Sequence, residues 1–102
     1  MTLVPVARTS DVPVGGMIGA DIGGERILIA NVGGDYFAMR STCNHMGGPL
    51  EEGTLEGNVV TCPLHGSQWD VKTGELVWFA RPLPPEPVYK VKVEEEQIMV
   101  EV

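Results

Sequence analysis

Apolar residues fall in short runs, each closed by Gly, Pro or an acidic cluster, and no stretch of ten or more repeats with the helical period. The pattern predicts a first strand over Leu3 to Arg8 and a Pro/Gly connection over Thr9 to Gly16. Two Ile/Val-rich strands, Met17 to Ile22 and Arg26 to Val32, flank Gly23-Gly24-Glu25, where Gly supplies the positive φ of a tight hairpin turn. Gly33-Gly34-Asp35 repeats the device before a strand over Tyr36 to Arg40. Glu51-Glu52-Gly53 and Glu56-Gly57-Asn58 read as turns, and Val59-Val60-Thr61 as a short buried strand. Gln68 to Val71 and Glu75 to Val77 form a hairpin around Lys72-Thr73-Gly74, with Trp78 and Phe79 expected in the core. The segment Arg81 to Pro87 cannot lie inside a sheet, because proline lacks the ladder donor. Val88 to Glu94 and Ile98 to Val102 alternate and are expected to pair around Glu95-Glu96-Gln97.

Composition narrows this to one all-β domain: 102 residues, 43% hydrophobic, with 13 Gly and 8 Pro, suit short strands joined by tight turns. The formal charge of -7 leaves no basic stripe to displace counterions, which argues against nucleic acid and for a basic protein partner. The run Glu94-Glu95-Glu96 reads as solubility alone. The N-terminus lacks a basic region followed by an apolar stretch, and no apolar run approaches the roughly 20 residues of a membrane span. A soluble, cytoplasmic protein without a membrane partner is the expectation.

Both cysteines and both histidines lie in two short segments, Cys43-Asn44-His45 and Cys62-Pro63-Leu64-His65. The pattern is C-x-H, sixteen residues, then C-x-x-H. Equal numbers of Cys and His fit a structural zinc site, or a 2Fe-2S centre in which two His replace two Cys on one iron. Zinc modules usually pair like with like, whereas here each segment supplies one of each, a mixture that lets each loop give its Cys to one iron and its His to the other. A disulfide between Cys43 and Cys62 would leave the adjacent His residues without a purpose.

These four residues at these spacings resemble the Rieske ferredoxin family. The resemblance implies a 2Fe-2S cluster with Cys43 and Cys62 on the inner iron and His45 and His65 on the outer one. It implies an antiparallel β-sandwich or barrel base, residues 1–40 and 83–102, carrying an inserted cluster-binding subdomain over 41–82. It further implies that Pro82 and Pro84 belong to a lid over the cluster, where a plain linker is the alternative. High-potential members of the family carry a disulfide at the positions of Gly48 and Leu64, which this chain cannot form. They also donate hydroxyl hydrogen bonds from a Ser and a Tyr; Ser67 matches the first, while Trp69 replaces the second. A midpoint in the lower half of the roughly -150 to +300 mV Rieske span follows.

Both histidines are committed to the motif, so none remains for the mononuclear iron of an oxygenase. The resemblance therefore implies an electron carrier, not an enzyme, that shuttles between a ferredoxin reductase and a terminal oxygenase or other redox protein. A Rieske-like small subunit of a reductase complex, such as nitrite reductase, or a zinc-stabilised interaction module are the alternatives. Docking is expected at the cluster tip through His45, Met46, Gly47, Pro49, His65 and Gly66, with Glu51, Glu52 and Glu56 steering a basic partner.

Overall fold

The structure, a computed structural model, describes residues 2–42, 49–64, 66–80 and 82–101. Eleven strands are present among them: β1 (Leu3–Arg8), β2 (Met17–Ile22), β3 (Glu25–Val32), β4 (Asp35–Arg40), β5 (Thr54–Glu56), β6 (Val59–Thr61), β7 (Gln68–Asp70), β8 (Leu76–Trp78), β9 (Val88–Tyr89), β10 (Val91–Glu94) and β11 (Gln97–Glu101). No α-helix occurs among the described residues; two single 3-10 turns, Thr9–Asp11 and Leu50–Glu52, complete the regular structure. The strands form three sheets in the orders β1-β11-β10, β2-β3-β4-β9 and β5-β6-β7-β8, every pairing antiparallel.

The second sheet is sandwiched between the other two, and β3 shows why. Side chains alternate across a strand. Ile27 and Ile29 pack on one face with Val12, Ala38, Ile98 and Val100. Leu28 and Ala30 pack on the other with Met39, Leu50, Val60, Trp69 and Val71. Burial on both faces is the reason β3 reads as an unbroken apolar run instead of an alternation. Gly23 and Gly24 close the β2–β3 hairpin at φ +57° and +85°, as that turn requires.

Three expectations need correction. Thr54–Glu56, which includes the first residue of the expected turn Glu56-Gly57-Asn58, is a strand, β5, pairing with β6. Val88 to Glu94 is not one strand: Val88 and Tyr89 pair with β4 in the middle sheet, whereas Val91–Glu94 pairs with β11 in the first. A segment that crosses from one layer to the next cannot keep a single ladder. Trp78 is not in the core, being 56% exposed. A register shift between Gln68 and Trp69 leaves Val77 as the extra residue of β8, so Trp78 pairs with Gln68 in the row of Thr54 and Thr61 instead of sharing the apolar row Leu55, Val60, Trp69, Leu76. Phe79 is half-buried and meets Trp78 edge-on, ring centroids 6.4 Å apart.

Candidate metal centre

The third sheet ends in the segment that carries the second Cys and His. In the β6–β7 ladder Val60 faces Trp69 and Thr61 faces Gln68. One step beyond the last ladder pair, the Cys62 amide donates to the Ser67 carbonyl at 2.8 Å. Gly66 N–H donates back to the Cys62 carbonyl at 3.1 Å, tightening the turn. By alternation Cys62 shares the face of Val60, and Ser67 the face of Trp69. All four are buried; Cys62 is a free thiol, 3% exposed. Trp69 donates its indole Nε1–H to Ser67 Oγ at 3.1 Å.

The first Cys and His lie between Ser41-Thr42 and Pro49-Leu50, which form a neck. Thr42 and Pro49 make an antiparallel bridge, and the Leu50 amide donates to the Ser41 carbonyl at 2.8 Å. Leu50 is wholly buried in the same apolar cluster as Cys62 and Trp69, so the neck of the first segment and the base of the second meet. The neck is fixed from the base: Ser41 N–H donates to the Arg26 carbonyl at 2.8 Å, and the Ser41 hydroxyl contacts the Glu51 carboxylate, which also accepts from Arg26 Nε at 2.9 Å. That hydrogen bond, then the attraction of the Glu51 charge, holds the Arg26 guanidinium pKa above its ordinary value; burial opposes, and Asp21 adds a smaller contribution of the same sign as Glu51.

Cys43, His45, Met46, Gly47, Gly48 and His65 lie outside the described residues. Of the remaining candidates, the fold brings Cys62, Ser67 and Trp69 together. Leu64 is 53% exposed on the turn between Cys62 and Ser67, and Pro49 is half-buried in the neck. Glu51 is turned inward, its side chain 8% exposed, so it is a structural anion instead of the free steering charge expected. Glu52 and Glu56 are exposed.

Pro82 and Pro84 are exposed members of a segment whose attachment depends on other residues. Leu83 packs against the cluster of Leu50, Cys62 and Trp69. Glu86 donates its amide to the Gly74 carbonyl at 2.8 Å, and its buried carboxylate accepts from Arg40 Nε at 3.0 Å. Gly74, at φ +79°, is needed there, since a Cβ would stand 2.1 Å from the Glu86 carbonyl oxygen. The sequence marks Gly74 as a hairpin-turn residue and Leu83 and Glu86 as loop residues; the signal for their attachment is an isolated acid within a proline-rich run.

Residues 2–92 match the Rieske 2Fe-2S domain family. The chain belongs to this family. It is 38% identical over 104 aligned positions to the ferredoxin component of biphenyl 2,3-dioxygenase from Rhodococcus jostii, spanning 99% of this chain and 94% of that one. The structure superposes with a TM-score of 0.88 on a chain from the complex of reduced oxygenase and oxidized ferredoxin in carbazole 1,9a-dioxygenase, at 31% identity, covering 96% of this chain and 91% of that one. The ferredoxin of carbazole 1,9a-dioxygenase from Nocardioides aromaticivorans gives 0.91 at 27% identity, covering 98% and 97%.

The residues present suit the family's 2Fe-2S group. Among the described residues, a buried thiol supplies a soft ligand, the cluster it belongs to is apolar, and the nearby buried Ser67 carries a hydroxyl able to donate to sulfur. Among the described residues no helix is long and apolar enough to cross a membrane.

Proposed function

We propose that this protein is a one-electron carrier, a Rieske ferredoxin that takes electrons from a reductase and delivers them to a terminal oxygenase. When bound, the 2Fe-2S group supplies single-electron exchange. Cys43 and Cys62 would hold one iron and His45 and His65 the other. The β6–β7 turn carries Cys62 and His65, and the Ser41–Leu50 neck carries Cys43 and His45. The observation that carries this reading is the match to a dioxygenase ferredoxin component over 99% of this chain and 94% of that protein. The sequence is consistent with it, since its two His both belong to the motif. Residues 41–82 act as the cluster-binding subdomain on a base formed by 1–40 and 83–102.

The purified protein is expected to be brown, with iron and sulfide at two each per chain and a 2Fe-2S electron paramagnetic resonance signal on reduction. His45→Ala or His65→Ala should bleach it and lower its thermal stability together, because a metal site contributes to folding. A colourless protein containing one zinc per chain overturns the reading.

A further inference from the structure

Two buried residues of the hairpin are joined in a way that the electron-carrier reading does not by itself require. Trp69 Nε1–H donates to Ser67 Oγ at 3.1 Å, and both side chains are fully buried. An indole can only donate, so the serine oxygen is the acceptor and its own hydrogen is directed to another atom. Just beyond the last β6–β7 pair, Thr61–Gln68, the Ser67 carbonyl accepts from the Cys62 amide at 2.8 Å. Counting by alternation from Val60 and Trp69, the side chains of Cys62 and Ser67 lie on one face and both are buried, so the Ser67 hydroxyl is enclosed on the side of the hairpin that carries the Cys62 thiol.

An unconstrained serine hydroxyl samples three χ1 wells and a free O–H rotor. A rigid indole, locked by burial between Val60 and Leu76 in the core row of the sheet, selects one arrangement. A hydroxyl that accepts a hydrogen bond also becomes a stronger donor. Donation to a cluster sulfur favours the reduced state, which carries the extra negative charge.

We propose that Trp69 is a positioning residue: its indole N–H orients and polarises the buried Ser67 hydroxyl as a donor to the sulfur of the bound cluster, and so raises the cluster's reduction potential. This rests on the Rieske ferredoxin reading. Trp69 touches neither electron partner nor iron; it acts through Ser67.

Midpoints measured by protein-film voltammetry on the cluster-loaded wild type, Ser67→Ala, Trp69→Phe and the double variant test this. Phe keeps an aromatic ring in the core and removes the N–H together with the volume of the second ring, and benzothienylalanine at position 69 removes the N–H alone. Ser67→Ala is expected to shift the midpoint down, Trp69→Phe to shift it down by a smaller amount, and the double variant to match Ser67→Ala alone. Resonance Raman should show a shift of the iron–sulfur stretching bands in D2O that is reduced by either change. An unchanged midpoint in Trp69→Phe, or two shifts that simply add, overturns the positioning role. Where Trp69→Phe does not retain its cluster, benzothienylalanine at position 69, with sulfur in place of N–H and the same outline, gives the same comparison. A wild type without a 2Fe-2S spectrum overturns the carrier reading itself, whereas a loaded wild type with an indifferent Trp69→Phe removes only the relay.

Discussion

Glu51 and Glu52 are neighbours in one 3-10 turn and have opposite fates. Glu52 points to water. Glu51 accepts from Arg26 Nε at 2.9 Å and meets the buried Ser41 hydroxyl, tying the neck of the first ligand segment to β3. Removing the carboxylate leaves the buried Ser41 hydroxyl without its acceptor, at about 1–3 kcal/mol, whereas the exposed Arg26 guanidinium can turn to water. Glu51→Ala is therefore expected to lower the urea midpoint by that equivalent, while Glu52→Ala stays within about 0.5 kcal/mol of wild type. Equal stability of the two variants would remove the latch role assigned to Glu51.

Among the elements, the β10–β11 hairpin carries an avoidable cost. Its turn residues Glu95 and Glu96 have φ of +49° and +67°, left-handed values at which a Cβ crowds the backbone. Two positive φ angles define the type I′ turn that matches strand twist, and Asn-Gly is its preferred sequence. Replacing Glu95-Glu96 by Asn-Gly should raise stability by about 1 kcal/mol, and it also thins the run of three like charges. Chemical denaturation measures it; a loss of stability would mean that these two glutamates make contacts worth more than their backbone strain.

At the scale of the whole molecule, the -7 charge and the three-layer architecture together shape how a partner can land. Leu64 and Trp78 are exposed apolar residues at the third sheet: Leu64 in the β6–β7 turn, and Trp78 opposite Gln68, the first residue of β7 after that turn. Pro49 lies in the neck, and Glu52 and Glu56 are exposed acids of the same part of the chain. We expect this end to be the docking face, with Leu64, Trp78 and Pro49 as apolar contacts and Glu52 and Glu56 steering a basic partner. Rates of electron delivery to the oxygenase should fall as ionic strength rises, and Glu52→Lys should lower the second-order rate constant with no change in midpoint. Trp78→Ala should weaken the complex through faster dissociation. Stopped-flow measurements check all three, and rates indifferent to salt would remove the steering role.

The strand positions could be read from the chain because Gly and Pro punctuate it. Positive φ and the missing proline donor are properties of single residues, so the turns at Gly23-Gly24 and the break at 82–87 needed no partner to be seen. The two Cys/His segments were legible for a similar reason, since ligand type and short spacing are local, and they led to the Rieske family. What the sequence left open concerns which face a side chain takes and what lies opposite it, which depends on strands distant along the chain. β5 acquires its ladder only from β6, and 88–94 divides only because two layers compete for it. Trp78 faces outward because its row is set by Gln68, Glu51 turns inward because Arg26 stands twenty-five residues back, and the Trp69 N–H finds Ser67 because both are enclosed in one core. Local chemistry is written residue by residue, whereas burial and partnership are decided by the packing of the whole.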